Sequence, residues 1–375
     1  MRIRGGKQIQ TFRYFMPANA YFGKDCMMMH KQAMAHLGKK AMLVTGRTSA
    51  KKNGAQKDMT TALGDLGIGW ILFDEVGENP DLETVVRAAK IALENDVDFI
   101  VGIGGGSPMD AAKAIAVLAA NKHADSDILF TDQSAKFLPV VEVPTTAGTG
   151  SEATQYAILT LHEKRTKNGI VQPVFATVSY LDPKYMATLS PTVTNNTAVD
   201  AMSHLVESYL NTNANTISEK MAEMGLSYWK DCISALKSRK YTEQVREKLM
   251  LASFIGGVVI AQTSTSLPHA MGYLLTYEKG VPHGRANGMV MQGYLELFGT
   301  ENEKVKRILY CLGLQSTEAF GNLMKEILDI SETFTKDDIA YYTERVMENP
   351  KKMKTFPLFD IAQKDIYHVY EKSLL

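Results

Sequence analysis

The chain has 375 residues, and its 41 basic and 41 acidic side chains leave no formal net charge. Apolar residues make up 45% and charged residues 22% of the chain, which is typical of a folded globular protein and argues against a disordered one. The balanced charge argues against a general nucleic-acid-binding protein, because such proteins usually carry a basic excess. The length predicts about two domains.

The same sequence gives expectations about location. The three cysteines, Cys26, Cys232 and Cys311, are far apart and form no metal-binding or disulfide pattern, which favours a reducing cytoplasm. The N-terminus lacks the apolar stretch of a signal peptide. The longest apolar run, residues 249–261, is shorter than the roughly 20 residues that cross a bilayer. We therefore expect a cytoplasmic protein without membrane or nucleic-acid partners.

The first half alternates short apolar runs with helical patterns. Strands are predicted at residues 41–45, 70–73, 99–103 and 139–143, and the clearest helix between them at 82–95. Strands separated by single helices are typical of βαβ units with a parallel sheet, and their continuous apolar character fits burial on both faces.

The second half has few strand signals and reads as helical. Helices are predicted at residues 197–210, 218–238, 241–262, 288–298 and 304–312. We place a domain boundary near residue 190, which gives an α/β domain over 1–190 and an all-helical domain over 191–375. The alternative is one continuous α/β domain.

A glycine loop (residues 104–106) follows the third predicted strand. Gly104, Gly105 and Gly106 let backbone N–H groups approach a ligand, and Ser107 is predicted to cap the next helix with Pro108 in its first position. A helix N-terminus of this kind attracts phosphate. The pattern predicts a pyrophosphate site that includes Asp110, and the alternative is an ordinary tight turn.

A threonine loop (residues 145–150) follows the fourth predicted strand. It carries Thr145, Thr146 and Thr149 together with two glycines. Ligands in open α/β sheets bind beyond the carboxyl ends of strands, so two such loops on successive strands predict one dinucleotide crevice. An ordinary polar loop is the alternative.

The end of the first predicted strand bears on the choice of dinucleotide. An acidic residue at this place usually holds the ribose 2′-hydroxyl of NAD, whereas basic residues suit the 2′-phosphate of NADP. The chain has Gly46, Arg47, Ser49, Lys51 and Lys52 here and no acid. This favours NADP, with a solvated basic turn as the alternative.

The helical half contains a candidate metal site. Asp200 and His204 are four residues apart and share one face of a predicted helix, and His269 and His283 follow downstream. One carboxylate and three imidazoles suit Fe²⁺, Zn²⁺ or a similar divalent ion. An exposed or structural pair is the alternative for Asp200 and His204, and we interpret the other five histidines as ordinary.

Together these motifs resemble the iron-containing (group III) alcohol dehydrogenases. The matching segments are GGGSPMDAAKAIA (104–116), PTTAGTGSEAT (144–154), DAMSHLVESY (200–209) and PHGRANG (282–288), with the spacing between His269 and His283. The resemblance implies a dinucleotide-binding α/β domain and an all-helical domain, the dehydroquinate synthase-like architecture, with the active site between them.

The resemblance also implies roles for particular residues. The metal ligands would be Asp200, His204, His269 and His283, and Lys167 would approach the cofactor. Gly46 and Ser49 resemble the turn of NADP-using relatives. Many relatives carry a second histidine four residues after the third ligand, but this chain has Tyr273 there. Tyr273 becomes a candidate proton donor, and the cofactor ribose hydroxyl acting through water is the alternative. The remaining cofactor contacts would be Gly104, Gly105, Gly106, Ser107, Asp110, Thr145, Thr146 and Thr149.

The implied reaction is hydride transfer between an alcohol and NADP or NAD, assisted by Fe²⁺ or Zn²⁺. The expected substrate is a small alcohol or aldehyde, and the expected assembly is a homo-oligomer. A glycerol-type polyol dehydrogenase, or another enzyme on the same scaffold, is the alternative.

Overall fold

The computed structural model describes residues 11–163, 166–299, 301–348 and 350–375. Within these residues six strands form one parallel sheet in the order β1-β8-β5-β4-β2-β3, and β6 and β7 form a separate antiparallel hairpin. The strands are β1 (Asn19–Phe22), β2 (Lys40–Thr45), β3 (Gly69–Phe73), β4 (Phe99–Gly104), β5 (Val140–Pro144), β6 (Ile158–Leu161), β7 (Thr166–Gly169) and β8 (Val178–Leu181).

Helices connect these strands and cover the sheet. They are α1 (Cys26–Met29), α2 (Ser49–Lys52), α3 (Ala55–Asp65), α4 (Leu82–Glu94), α5 (Gly106–Ala120) and α6 (Ile128–Thr131). In α4 the side chain of Asp81 caps the first turn by accepting from the amide of Thr84 at 2.6 Å. Because every crossover is long enough for a helix, the strands can lie parallel.

Both faces of the sheet are buried. Along β2, Met42 and Val44 pack into one hydrophobic cluster with α4 and α5, whereas Ala41 and Leu43 pack into another with α1 and α3. This alternation explains why the central strands are continuously apolar, since each face of the sheet needs its own set of apolar side chains.

The second half consists of helices. They are α7 (Pro191–Leu210), α8 (Thr216–Lys230), α9 (Ile233–Ser238), α10 (Glu243–Thr263), α11 (Leu267–Lys279), α12 (His283–Glu296), α13 (Glu303–Leu312), α14 (Thr317–Leu328), α15 (Lys336–Met347) and α16 (Gln363–Leu374). Helix α7 lies at the centre and packs against α8, α10 and α12. Ser190 caps it and Pro191 occupies its first position, so its start is well defined.

The predicted fold class is confirmed: a parallel-sheet α/β domain precedes a helical one. The single helix predicted over 218–238 was wrong, because the chain turns at Asp231 and Cys232 and forms α8 and α9. The predicted cap at Ser107 was also wrong. Helix α5 begins at Gly106 with Gly105 in the cap position. The division at residue 190 stays a prediction.

No single helix in the described part of the chain has both the length and the apolar composition to cross a membrane. Helices α10 and α11 satisfy that test only as a pair, across a bend of 113°.

Candidate active site

The glycine loop and the threonine loop lie side by side at the carboxyl ends of β4 and β5. The amide of Thr145 donates to the carbonyl of Gly104 at 2.7 Å. A Cβ on Gly105 would lie 3.2 Å from the Thr146 hydroxyl oxygen, and one on Gly106 would lie 2.7 Å from Thr149 Cγ2. The two loops are therefore packed directly against each other, and glycine is needed where they touch.

Ser107 lies in the first turn of α5 and has a partner that is distant in sequence. Its hydroxyl oxygen accepts from the amide of Asn79 at 3.1 Å. Asn79 has a left-handed backbone with φ of 57°, and its side-chain oxygen accepts from Lys167 Nζ at 2.7 Å. This chain of contacts connects β7, the segment before α4 and the N-terminus of α5.

Asp110, a further predicted residue of α5, is half-buried and hydrogen-bonded. One carboxylate oxygen accepts from the Ser151 hydroxyl at 2.7 Å and the other from the amide of Ile158 at 2.9 Å. Burial raises the pKa of Asp110. The side chain therefore fixes the segment between the threonine loop and β6.

Lys113, one turn further along α5, holds the same segment. It is completely buried, and its Nζ donates to the carbonyls of Ser151, Thr154 and Tyr156 at 2.7 to 3.0 Å. The carboxylate of Glu142 on β5 lies 3.6 Å away. Sequence analysis did not assign a role to Lys113, because its partners lie about forty positions downstream.

Lys167 lies between the two loops and the helical half. Its Nζ is 6.0 Å from the ring centroid of Tyr273 on α11. Burial lowers the pKa of Lys167 to about 8, against the opposing effect of Glu78, Asp110 and Asp200. The predicted cofactor lysine is thus placed beside the predicted metal centre.

The basic turn after β2 lies beside an acidic residue from another segment, which the local sequence did not show. Lys51 Nζ lies 2.7 Å from a carboxylate oxygen of Asp74, which directly follows β3. The hydrogen bond from Lys51 lowers the pKa of Asp74, and Arg47 adds a smaller effect. Ser49 and Arg47 lie in the same turn, and a Cβ on Gly46 would be 3.5 Å from the nearest atom, the carbonyl oxygen of Val76.

The four predicted metal ligands come together in the helical half. Asp200 and His204 lie one turn apart on α7, His269 lies in the first turn of α11, and His283 begins α12. Asp200 Oδ1 is 4.0 Å from His204 Nε2, 3.8 Å from His269 Nε2 and 3.7 Å from His283 Nε2. The two imidazoles of His204 and His269 face each other, with their Nε2 atoms 3.0 Å apart.

The electrostatics of this cluster suit a cation. Burial alone would raise the pKa of Asp200, but the three imidazoles in their protonated forms and the hydrogen bond from Asn287 hold the pKa below the usual value. Burial lowers the pKa of His269 well below its usual value and that of His283 to about 3. These two imidazoles are therefore neutral at neutral pH, which is the form that binds metals.

The residues fit a divalent metal by chemistry and spacing. Ligand atoms at 2.0–2.2 Å from a tetrahedral ion lie about 3.4 Å from one another. Four distances of 3.0 to 4.0 Å are close to that value, and they join Asp200 to each imidazole and His204 to His269. Among the described residues Asp200, His269 and His283 have ligand atoms that all lie within 4.8 Å of one another, and His204 is not part of that group. Imidazole nitrogens and a carboxylate oxygen are ligands for Fe²⁺ or Zn²⁺.

Two further side chains contact the predicted ligands, and sequence analysis missed both. Glu207 on α7 is completely buried, with one oxygen 2.5 Å from His269 Nδ1 and the other accepting from the amide of Ser266 at 2.5 Å. Asn287 Nδ2 lies 3.0 Å from Asp200 Oδ1 and 3.2 Å from Nε2 of His269 and of His283. Helical spacing was the available signal, since Glu207 is three residues after His204 and Asn287 four after His283.

Tyr273 lies against the metal ligands. Its ring stacks on the His283 ring at 5.2 Å with an interplanar angle of 19°, and it meets His269 edge-on at 6.3 Å. Burial, and the nearby carboxylates after it, raise the pKa of Tyr273. The phenol therefore keeps its proton at neutral pH.

Two family profiles match this arrangement of domains. The profile of iron-containing alcohol dehydrogenases matches residues 17–183, and the profile of the C-terminal part of that family matches residues 194–351. Alcohol dehydrogenase 4 of Schizosaccharomyces pombe is 31% identical over 84% of this chain and 75% of its own length. The chain belongs to the iron-containing alcohol dehydrogenase family.

Other comparisons agree with this family. An iron-containing alcohol dehydrogenase from Thermotoga maritima has a crystal structure with a TM-score of 0.90 and 36% identity, which covers 97% of this chain and 99% of that one. An NADPH-dependent butanol dehydrogenase of Clostridium saccharobutylicum is 26% identical over 93% of this chain and 87% of its own length. The protein is an oxidoreductase, a metal-dependent and NAD(P)-linked alcohol dehydrogenase or aldehyde reductase.

Proposed function

We propose that Asp200, His204, His269 and His283 hold the divalent metal and that the enzyme uses NADP to interconvert a small alcohol and its aldehyde. The observation that carries this proposal is the convergence of three imidazole nitrogens to within 4.0 Å of one carboxylate oxygen. Lys167 supports it, because the lysine lies between the cofactor loops and this cluster.

The protein's own groups position the reactants. A bound metal would polarise the alcohol or aldehyde oxygen, and the nicotinamide would accept or donate the hydride. The glycine and threonine loops offer backbone amides and hydroxyls to the diphosphate. Asp200 places one carboxylate beside the three imidazoles. Tyr273 has a proton to donate and lies against His283.

A substrate and metal panel tests the proposal. The purified protein would be treated with a chelator, reloaded with Fe²⁺, Zn²⁺ or Mn²⁺, and assayed with NADPH and NADH on short aldehydes, alcohols and diols. We expect turnover only after reloading, and faster turnover with NADPH. Full activity in the metal-stripped protein would contradict the metal role, and activity confined to polyols would favour the glycerol-type alternative.

The proposed preference for NADP depends on the turn after β2. With Lys51 paired to Asp74, the groups nearest to a 2′-phosphate would be Arg47, Ser49 and Lys52. The butanol dehydrogenase relative is named as NADPH-dependent, which supports the same choice.

Substituting Gly46→Asp is expected to reverse this preference. The space around Gly46 admits a Cβ in ordinary contact, so the carboxylate would repel a 2′-phosphate and could accept from a 2′-hydroxyl. We expect the ratio of kcat/KM for NADPH over NADH to fall at least about ten-fold, equivalent to about 1.4 kcal/mol. Gly64→Asp adds the same charge at an exposed site on α3 and should leave the ratio unchanged, whereas an unchanged ratio in Gly46→Asp would refute the role of the turn.

Substituting Tyr273→Phe tests the proposed proton donor. The ring and its stacking on His283 remain, and only the hydroxyl is lost. A hydrogen bond of about 1 kcal/mol corresponds to about a five-fold change in rate, so we expect kcat to fall by about that factor while metal content stays constant. Tyr277→Phe, one turn later on α11, is the matched control. Wild-type kcat in Tyr273→Phe would remove the phenol from the proton route.

Location and assembly are part of the same proposal. We propose a cytoplasmic homo-oligomer. The three cysteines are free thiols, and burial raises the pKa of Cys26 and of Cys232 to about 12, which agrees with a reducing compartment. Light scattering of the purified enzyme would measure the oligomeric state.

A further inference from the structure

Two consecutive glycines in the middle of α10 face different parts of the active site. A Cβ on Gly256 would lie 3.3 Å from the carbonyl oxygen of Ala201 and 3.3 Å from Cβ of His204, both on α7. A Cβ on Gly257 would lie 2.9 Å from Cα of Gly150, in the threonine loop. Helix α10 therefore contacts α7 through Gly256 and the threonine loop through Gly257.

The contact at Gly257 is between two backbones. A Cβ on Gly150 would in turn lie 2.5 Å from Cα of Gly257, and Gly150 has φ of 60°, which favours glycine. The same loop also packs on α7, since a Cβ on Gly148 would lie 2.8 Å from Cβ of Thr197. The threonine loop is thus held against α10 by a backbone-to-backbone contact and against α7 at Thr197.

The contact at Gly256 bears on the orientation of His204. A metal-binding histidine usually donates its second nitrogen to a carboxylate or carbonyl, as His269 does to Glu207. His204 Nδ1 is buried and has no hydrogen-bond partner among the described residues. Close packing against Gly256 takes the place of that bond in fixing the ring.

We propose that Gly256 and Gly257 are positioning residues that set the spacing between the metal and the nicotinamide. Gly257 lets the threonine loop approach α10, and Gly256 lets α7 approach with His204 in the orientation that binds metal. The inference rests on the proposed cofactor and metal sites. It adds that α10 determines the distance between these two sites.

Two alanine substitutions separate these roles. Gly257→Ala pushes the threonine loop away from α10, and we expect NADPH binding to weaken about ten-fold or more and kcat to fall, since a misplacement of about 1 Å can cost about 100-fold in rate. Its metal should leave to a chelator at the wild-type rate. Gly256→Ala should lose metal at least about ten-fold faster, as for other changes behind a ligand, with NADPH binding unchanged.

The measurements are fluorescence titration of the metal-loaded enzyme with NADPH and the rate of metal loss to a chelator. Alanine is a better helix former than glycine, so weaker binding would not arise from lost helix propensity. Gly64→Ala, an exposed helical position where a Cβ meets nothing within 4 Å, is the control. Should Gly257→Ala fail to fold, Gly148→Ala displaces the same loop from the α7 side, and Gly256→Ala tests the other half by itself.

The outcomes are distinct. Weaker NADPH binding only in Gly257→Ala, and faster metal loss only in Gly256→Ala, would support the proposed positioning roles. Wild-type NADPH binding in Gly257→Ala or Gly148→Ala, or identical effects of Gly256→Ala and Gly257→Ala, would overturn it. A wild-type enzyme that binds neither NADPH nor metal would instead refute the proposed function.

Discussion

Replacing His269 with alanine is expected to release the metal and reduce turnover by more than about 100-fold, the upper end of the loss seen when a residue behind a ligand is changed. His269 is central to the cluster, with its Nε2 3.0 Å from His204 Nε2 and 3.8 Å from Asp200 Oδ1. Its loss would leave three predicted ligands and would also remove one of the two hydrogen-bond partners of the buried Glu207 carboxylate. Metal content after dialysis and NADPH-linked aldehyde reduction are the measurements.

The control for this substitution is His123→Ala. His123 lies in an exposed turn, so the same change of side chain there should alter neither metal content nor turnover. Retention of both at wild-type levels in His269→Ala would refute the role of His269 as a ligand.

Replacing Glu207 with glutamine is expected to weaken metal binding by about 10- to 100-fold. The carboxylate serves two donors, the amide of Ser266 and Nδ1 of His269. A carboxylate only accepts, so it keeps the proton on Nδ1 and leaves the lone pair of Nε2 for the metal. An amide has one acceptor oxygen and two N–H donors, so it can satisfy only one of these two groups.

A competition titration with a chelator measures this loss of affinity. Glu219→Gln is the matched control, because Glu219 is a partly exposed residue on α8 that pairs with Lys304 on the surface. Burial raises the pKa of Glu207 and lowers that of Lys352, and the electrostatic attraction between the two groups works against both shifts. Because the substitution also removes this attraction, the unfolding transition of the variant should be recorded. Unchanged metal affinity in a stably folded Glu207→Gln would show that Glu207 has only a structural role.

The strands with continuous apolar runs were predictable because their composition is decisive. The predicted strands at 41–45, 70–73, 99–103 and 139–143 correspond to β2, β3, β4 and β5. The outer strand β1, the interior strand β8 beside it and the β6–β7 hairpin were missed. In β8 the polar Ser179 interrupts the apolar run, and it is accommodated because its hydroxyl donates to the carbonyl of Glu152. A partner 27 residues away leaves no local signal.

Contacts with residues distant in sequence also determined where two helices begin or end. Ser107 has the chemistry of an N-cap, but its hydroxyl accepts from Asn79, and the helix starts at Gly106. The break between α8 and α9 lies at Asp231 and Cys232, which are not strong helix breakers. The Cys232 side chain is buried in the helical core, so packing sets the turn there.

The candidate ligands followed from the motifs and the family resemblance that these motifs carry. Local spacing contributed, because Asp200 and His204 are one helical turn apart and glycine-rich loops after strands attract phosphate. The tertiary structure decided how those groups meet. It brings His269 and His283 to Asp200, places Glu207 beside the His269 imidazole, and packs the threonine loop against α10. These contacts join residues from 62 to more than 100 positions apart, and only the packing of α7, α10, α11 and α12 determines them.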